Sequence, residues 1–325
     1  MKILGCGYYL PKKIVTSDEV DGLASTSKGT VYNKTGIVKR HYADFDNTET
    51  ASKMGSIAAK KAIKNSKIDI NDIDMIIGAN ATKEILLPCS ASLVQRELGL
   101  DDSGIYCFDV GSSCLSFVSA LEIADMYLKS GKYKNILIVS SEIASQGINY
   151  NQIESAGLFG DGAAAFVVGN GGKSPLSKFK TYSKGARYTQ IQGGGTRYLV
   201  KDYNDSNKER YMFDMDGKNV FKLVKQKIGN MLDEFILENN IDFNEINVVI
   251  PHQASMSGIK LITKQLKIDE RKMINMISEY GNMIAASIPF VFAYSIENNL
   301  IKRNDKVMLL GTAAGITIGL MVLEY

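Results

Sequence analysis

The chain has 325 residues and 35.6 kDa, with 45% hydrophobic and 22% charged residues, enough to bury a sizeable core. That excludes a disordered chain and a small disulfide-stapled scaffold. A net charge of +3, from 38 basic and 35 acidic residues, is too balanced for a nucleic-acid or membrane surface. Four cysteines, at 6, 89, 107 and 114, have neither metal nor disulfide spacing and fit a cytoplasmic protein with free thiols.

In chain order, the opening MKILGCGYYLPKK has a short apolar run that reaches Pro11. It reads as a strand and turn, not a signal peptide. Met54, Ala58 and Ala62 recur at helical spacing, and Met75–Ile77 is a short continuous apolar run. Such runs suit strands buried on both faces. Ile105–Val110 is a further strand, followed by the turn Gly111-Ser112-Ser113 and the helical pattern LSFVSALEIADMYL. Ile136–Val139 and GAAAFVVG (162–169) are strands, and GNGGKSPLSK (169–178) is turn-rich. That link divides the chain into residues 1–171 and 172–325. Gly172-Lys173-Ser174 lacks the first glycine of a phosphate loop, with Val167 in that place, so it and Gly193-Gly194-Gly195 read as surface turns.

In the second half, Phe221, Val224, Ile228 and Leu232 mark a helix, Val248–Ile250 a strand, 285–298 a helix and Val307–Leu310 a strand. Val307 to Leu323 carries no charge over 17 residues, but it contains Gly311, Gly315, Gly319 and two threonines. Strand–turn–strand is therefore expected there and not a membrane span.

The chain repeats itself. IDINDIDMIIGANAT (68–82) matches IDFNEINVVIPHQAS (241–255) without a gap, at an offset of 241 − 68 = 173. VQRELGLDD (94–102) matches TKQLKIDE (263–270), and YLKSGKYKNILIVSS (127–141) matches LIKRNDKVMLLGTA (300–313). Two α/β halves of equivalent topology are expected, with parallel strands, right-handed crossovers and a layered core. In such folds the site lies off the carboxyl ends of strands.

Three side chains occupy such ends. Cys114 follows the Gly111–Ser113 turn and opens a helix, where free N–H groups and the helix dipole favour a thiolate. A buried structural thiol is the other reading. Cys6 and Cys107 read as strand residues and Cys89 as the start of a helix after Pro88, all three structural. His252 ends the Val248–Ile250 strand, and its repeat partner is Ala79; a hydrogen-bonded core histidine is the plain alternative. His41, in VKRHYADFD, reads as a surface residue. Asn282 follows Gly281, which aligns with Gly111, so it lies near the counterpart of the cysteine turn. It could equally cap the helix that follows. Together the three converge where the halves must meet.

The residues resemble the β-ketoacyl-[acyl-carrier-protein] synthase III family of the thiolase-fold superfamily over nearly the whole chain. The matching motifs are Gly5–Glu19, Lys34-Thr35-Gly36-Ile37, Asp109–Phe117, Gly160-Asp161-Gly162-Ala163-Ala164, Gly217–Phe221, Pro251-His252-Gln253-Ala254 and Gly281-Asn282 with Ala285-Ala286-Ser287. The resemblance implies an αβαβα layered α/β fold, a homodimer and a catalytic set of Cys114, His252 and Asn282. It implies backbone N–H groups of Cys114 and Ala314 as an oxyanion hole, no metal and no redox cofactor. The implied substrates are coenzyme A or phosphopantetheine thioesters: acyl-CoA or an acyl-carrier protein first, then a malonyl-type carrier protein. The implied reaction is decarboxylative Claisen condensation through an acyl-Cys intermediate. An acyltransferase of the same fold, passing the acyl group to an alcohol or amine, is the alternative.

Several positions depart from the family pattern. Thr30 stands where the family commonly has a Trp that stacks on adenine, and Lys34 replaces an Arg. Ser255 follows the histidine motif in place of Asn, and Ser257 replaces a basic residue associated with carrier docking. The usual Phe-Gly-Gly-Gly turn reads Thr312-Ala313-Ala314-Gly315. Leu87, before Pro88, resembles a position that reaches into the partner subunit's acyl pocket. The donor is expected to be carrier-bound, in fatty-acid or specialised metabolism.

Overall fold

The structure, a computed structural model, describes residues 1–44 and 49–325. Strands β1 (Lys2–Tyr9), β2 (Met75–Gly78), β3 (Tyr106–Asp109), β4 (Asn135–Glu142) and β5 (Gly162–Gly169) pair in the order β1-β5-β4-β2-β3. Strands β6 (Leu176–Thr181), β7 (Val248–Pro251), β8 (Lys306–Ala313) and β9 (Thr317–Glu324) form a second sheet, β7-β8-β9-β6. The four strands of the second sheet match β2-β4-β5-β1 of the first, and so do their directions. β4 runs parallel to β2 and antiparallel to β5; β8 runs parallel to β7 and antiparallel to β9.

Two expectations change. The sheets are mixed, not parallel throughout, because β8 and β9 are joined by residues 314–316 alone. A link that short makes a hairpin, whereas a parallel return needs a crossover of a dozen residues or more. The counterpart of β3 in the second half is reduced to one parallel bridge between Val249 and Met273. The residues before it, Glu270–Lys272, are all charged and form a 3₁₀ turn, so the pairing does not extend toward the N-terminal side.

Alternation along the strands builds the layers. Ile76, Leu137, Val139 and Val167 face outward onto α1 (Ala51–Ser66) and α2 (Ser90–Glu97), meeting Met54, Ala58 and Val94. Their neighbours Met75, Ile77, Ile136 and Ile138 face inward, as the two-residue period requires. There they pack on α3 (Ser116–Lys129) and α6 (Ser287–Glu297), which also cover Val248, Ile250, Val307 and Leu309 of the second sheet. The far face of that sheet, with Val249, Met308 and Leu310, is covered by α4 (Gly217–Asn239) and α5 (Met256–Gln265). The result is an αβαβα sandwich. Phe166 touches Phe117 and Phe292 in its central layer, with ring centroids 4.9 and 5.2 Å apart. Each aromatic pair adds about 0.5–1.5 kcal/mol beyond simple burial. Among the described residues no helix is long and apolar enough to cross a membrane.

Candidate active site

The central helices α3 and α6 each begin with an irregular turn. Ser113–Leu115 is a 3₁₀ turn whose first residue has φ +49°. Ser116 Oγ accepts the Ser112 N–H at 3.0 Å and donates to the Ser113 carbonyl at 2.7 Å. In the other half Ile284–Ala286 is a 3₁₀ turn, Ile284 also has φ +49°, and Ser287 Oγ accepts the Met283 N–H at 2.9 Å. This pairing makes Ala285 the counterpart of Cys114 and Asn282 the counterpart of Gly111. The expected register, with Gly281 opposite Gly111, therefore moves by one residue.

Cys114 opens the path into α3, and its sulfur faces its own N–H and the N–H of Ala314. Ala314 sits in the hairpin between β8 and β9. The residue of that hairpin with positive φ is Gly315, at +134°, so alanine at 313 and 314 meets no left-handed backbone. Burial, and next the Glu142 carboxylate, push Cys114 up to about 12, against the lowering by the two N–H groups. Desolvation thus opposes the two N–H groups at this sulfur.

His252 follows the last residue of β7 and donates its backbone N–H to Leu310 O on β8 at 2.7 Å. A Cβ on Gly311 would lie 2.7 Å from His252 Cβ and 3.3 Å from Leu115 Cδ2. The missing side chain at 311 thus lets the histidine lie against the nucleophile turn. The ring is buried, which lowers it to about 4, and Nδ1 has no hydrogen-bond partner. It is neutral at physiological pH.

Asn282 is also buried. Its Oδ1 accepts the Ile284 N–H at 2.8 Å and the Ser287 hydroxyl at 3.3 Å, while Nδ2 donates to Ala254 O at 3.5 Å. The oxygen end of the amide thus closes a local turn onto residue 284, while the cap positions of the 3₁₀ turn and of α6 are Met283 and Ala286. That same bond turns Nδ2 toward the strand turn that carries His252. The cysteine turn packs on both β8 and the asparagine turn, so the segments that carry the three residues are neighbours.

A cleft leads from the surface to His252. Exposed Lys34 and Ser257 stand at its rim, and buried His252 and Gly311 with Thr312 line its depth. Glu154, Leu158, Val220, Phe221 and Met256 are among its walls. Thr30 does not line it. It begins the short helix Thr30–Thr35 and its hydroxyl donates to Ser27 O at 2.6 Å. Leu87 does not line it either; it is 85% exposed, beside exposed Ile85 and Leu86. Among the described residues no three His, Cys, Asp or Glu side chains gather as a metal site. Sequence reasoning missed Glu142, whose one signal is an acidic residue closing the apolar run ILIVSS at a strand's carboxyl end.

Known proteins resemble the chain in sequence and in fold. The profile of the C-terminal part of 3-oxoacyl-[acyl-carrier-protein (ACP)] synthase III matches residues 236–325, and that of 3-oxoacyl-[acyl-carrier-protein (ACP)] synthase III matches residues 108–185. The β-ketoacyl-[acyl-carrier-protein] synthase III of Fusobacterium nucleatum is 32% identical over 99% of this chain and 98% of its own length. The chain belongs to the β-ketoacyl-[acyl-carrier-protein] synthase III family. The synthase III from Blochmanniella floridana is 35% identical over 100% of the chain and 99% of its own. The solved synthase III structure from Aquifex aeolicus superposes with a TM-score of 0.88 at 30% identity, covering 100% of this chain and 99% of that one. The priming β-ketosynthase of the R1128 polyketide pathway shares the fold, with a TM-score of 0.89 at 24% identity, covering 99% and 95%. As a synthase III family member the chain is a condensing acyltransferase of the thiolase fold, and its reaction is decarboxylative Claisen condensation.

Proposed function

We propose that Cys114, His252 and Asn282 carry this condensation, with the donor presented on phosphopantetheine of a carrier protein. The observation that supports it most is the pair of N–H groups, from Cys114 and Ala314, converging on one sulfur. Sγ attacks the donor thioester carbonyl, and the oxyanion forms between those two N–H groups. The departing thiol leaves with the thiol proton, and an acyl-enzyme remains. An oxyanion-hole donor of this kind contributes ~2.7–4 kcal/mol. A malonyl-type carrier thioester then enters. Neutral His252 has one ring N–H and Asn282 Nδ2 a second donor for the thioester oxygen, so carbon dioxide departs and leaves an enolate. Its carbon attacks the acyl-Cys carbonyl, the Cys114 sulfur leaves, and the product is a β-ketoacyl thioester.

On this reading residues 1–171 supply the nucleophile and 172–325 the decarboxylating pair. No step draws on a metal or a redox cofactor. Exposed Leu87 and the edge strand β3, with Tyr106 51% exposed, are the surfaces a second copy would cover in a homodimer. The free cysteines accord with a cytoplasmic location.

The donor assignment rests on the cleft. Among the described residues Lys34 is its single lysine or arginine, and Glu154 adds a carboxylate that opposes phosphates. Thr30 has no aromatic face, and base stacking on an aromatic ring is worth ~1–3 kcal/mol. Losing it weakens CoA-thioester use by about 5- to 150-fold, and lysine lacks the planar fork of arginine. The test compares Cys114 acylation by one acyl group on CoA and on holo carrier protein. Faster transfer from the carrier is expected; a CoA rate equal or higher at low micromolar donor rejects a carrier-bound donor and points to exposed Tyr32 as an adenine platform.

A further inference from the structure

Arg40 is fully buried, on the strand Lys39–Tyr42 that pairs antiparallel with Lys13–Thr16. None of the ion pairs among the described residues includes it. Its guanidinium donates to Gly157 O at 2.7 Å and to Ser17 Oγ at 3.2 Å, both neutral acceptors, and Nε has no partner. Stability alone does not call for such a group, because a buried charge is costly and packed apolar residues often serve as well. What the side chain touches leads to Asn282. Leu158 O accepts the Asn282 N–H at 2.8 Å, and Asn282 O accepts the Gly160 N–H at 3.1 Å, around a parallel bridge between Phe159 and Asn282. The two segments lie so close that a Cβ on Gly160 would stand 2.3 Å from Tyr280 O, and one on Gly281 2.7 Å from Leu158 O. The same two positions lie 3.1 and 3.4 Å from Arg40 Cβ. The residues flanking Arg40 are tied to those before Asn282. Val38 N–H donates to Ser278 O at 2.7 Å, Lys39 pairs with Glu279 at 3.1 Å, and His41 stacks on Tyr280 with centroids 6.0 Å apart.

We propose that Arg40 is a positioning residue for the decarboxylating step: it fixes the backbone of Asn282, through the 157–158 peptide, so that Nδ2 meets the extender's thioester oxygen. The proposal rests on Asn282 serving that step. The route has two links. Arg40 Nη2 holds the carbonyl of Gly157, and the next carbonyl, Leu158 O, holds the Asn282 N–H. Gly157 is pinned on its other side by the helix Thr30–Thr35, where a Cβ would stand 2.7 Å from Val31 Cγ1 and 3.0 Å from Thr35 Cγ2. The oxygen end of the Asn282 amide is held inside its own turn by the Ile284 N–H, so what remains to be placed is the backbone of that turn. A planar fork of five donors can serve acceptors on two different segments at once, which a lysine ammonium cannot do in the same geometry. The Cys114 turn is braced by Ser116 instead, so the nucleophile does not depend on Arg40.

The experiment measures two rates in the wild type, Arg40→Gln, Arg40→Lys, Ser17→Ala and Asn282→Ala. One is acylation of Cys114 at saturating acyl-carrier thioester, by intact mass; the other is carbon dioxide release from a malonyl carrier thioester. A general loss of folded protein lowers both rates together and leaves their ratio unmoved. In Arg40→Gln the ratio of carbon dioxide release to acylation should fall by about tenfold or more, since a misplacement of ~1 Å can cost about 10²-fold. Arg40→Lys keeps the charge but loses the fork, and Ser17→Ala removes one acceptor; both should lower the ratio by less. An unchanged ratio in folded Arg40→Gln, or equal losses in both rates, overturns the proposal. If neither Arg40 variant folds, an unchanged ratio in Ser17→Ala overturns it. Asn282→Ala separates the proposal from the reading beneath it. Lost carbon dioxide release there with a normal ratio in Arg40→Gln sinks the positioning role alone, whereas wild-type release in Asn282→Ala sinks both.

Discussion

Ser113 and Ile284 hold the same left-handed backbone, φ +49° in each, immediately before Cys114 and Ala285. The two turns are copies, each braced by a serine three residues on, Ser116 and Ser287, that accepts the preceding turn's N–H. One copy carries the nucleophile and the other carries Asn282 two residues before its left-handed residue. Glu142 reaches from the end of β4 to the N–H of Ala285. Duplication thus brought two unlike chemical groups to equivalent helix starts facing one another across the sandwich.

Division of labour follows from that geometry. His252→Ala and Asn282→Ala leave the Cys114 and Ala314 N–H pair untouched, so both variants should still take an acyl group onto Cys114. Release of carbon dioxide from a malonyl thioester should fall by 10²-fold or more, the scale of a lost oxyanion donor. Wild-type carbon dioxide release in either variant would contradict the assigned roles and favour plain acyl transfer.

Gly311 gives a steric test. Gly311→Ala places a methyl 2.7 Å from His252 Cβ, closer than such contacts tolerate. Overpacking of this kind costs ~1–3 kcal/mol. Condensation should fall more than tenfold, with a lower unfolding midpoint in urea. A variant with wild-type condensation kinetics would show that the position of His252 does not matter.

His252 also shapes the acid response. Its folded value, about 4, lies below the ordinary 6.5, so between these values the unfolded chain binds a proton that the native state does not. The native state is favoured in full above pH 6.5, and that advantage is lost as pH falls toward 4. Over that window the change is about 3 kcal/mol. Glu142, raised to about 7, contributes the opposite slope but is present in both proteins. Urea unfolding of wild type and His252→Gln should therefore show a stability difference that moves against the wild type by this amount from pH 6.5 to 4. Parallel pH curves would contradict a buried neutral imidazole.

Much of this was legible in the sequence for definite physical reasons. Met75–Ile77, Ile136–Val139 and Val248–Ile250 read as two-sided buried strands because no polar residue interrupts them, and the structure places strands there. The gapless 68–82 and 241–255 match fixed β2 opposite β7. The register of Asn282 was legible only to within a residue, because left-handed geometry at Ser113 and Ile284 leaves no compositional mark. The loss of a full β3 counterpart leaves no mark in the sequence, since Met273-Ile274-Asn275-Met276-Ile277 is as apolar as a strand. Burial of Cys114 and the donors that Ala81, Thr82 and Ala285 give Glu142 come from segments distant in the chain, so neither the raised thiol nor the buried carboxyl could be read locally.

The most direct measurement is the intact mass of the protein after incubation with acyl-carrier and acyl-CoA thioesters, followed by peptide mapping. An acyl adduct on Cys114 is expected in the wild type, discharged on adding a malonyl carrier thioester, and none is expected in Cys114→Ala. An adduct that persists in Cys114→Ala, or maps to Cys89 or Cys107, would contradict the nucleophile assignment.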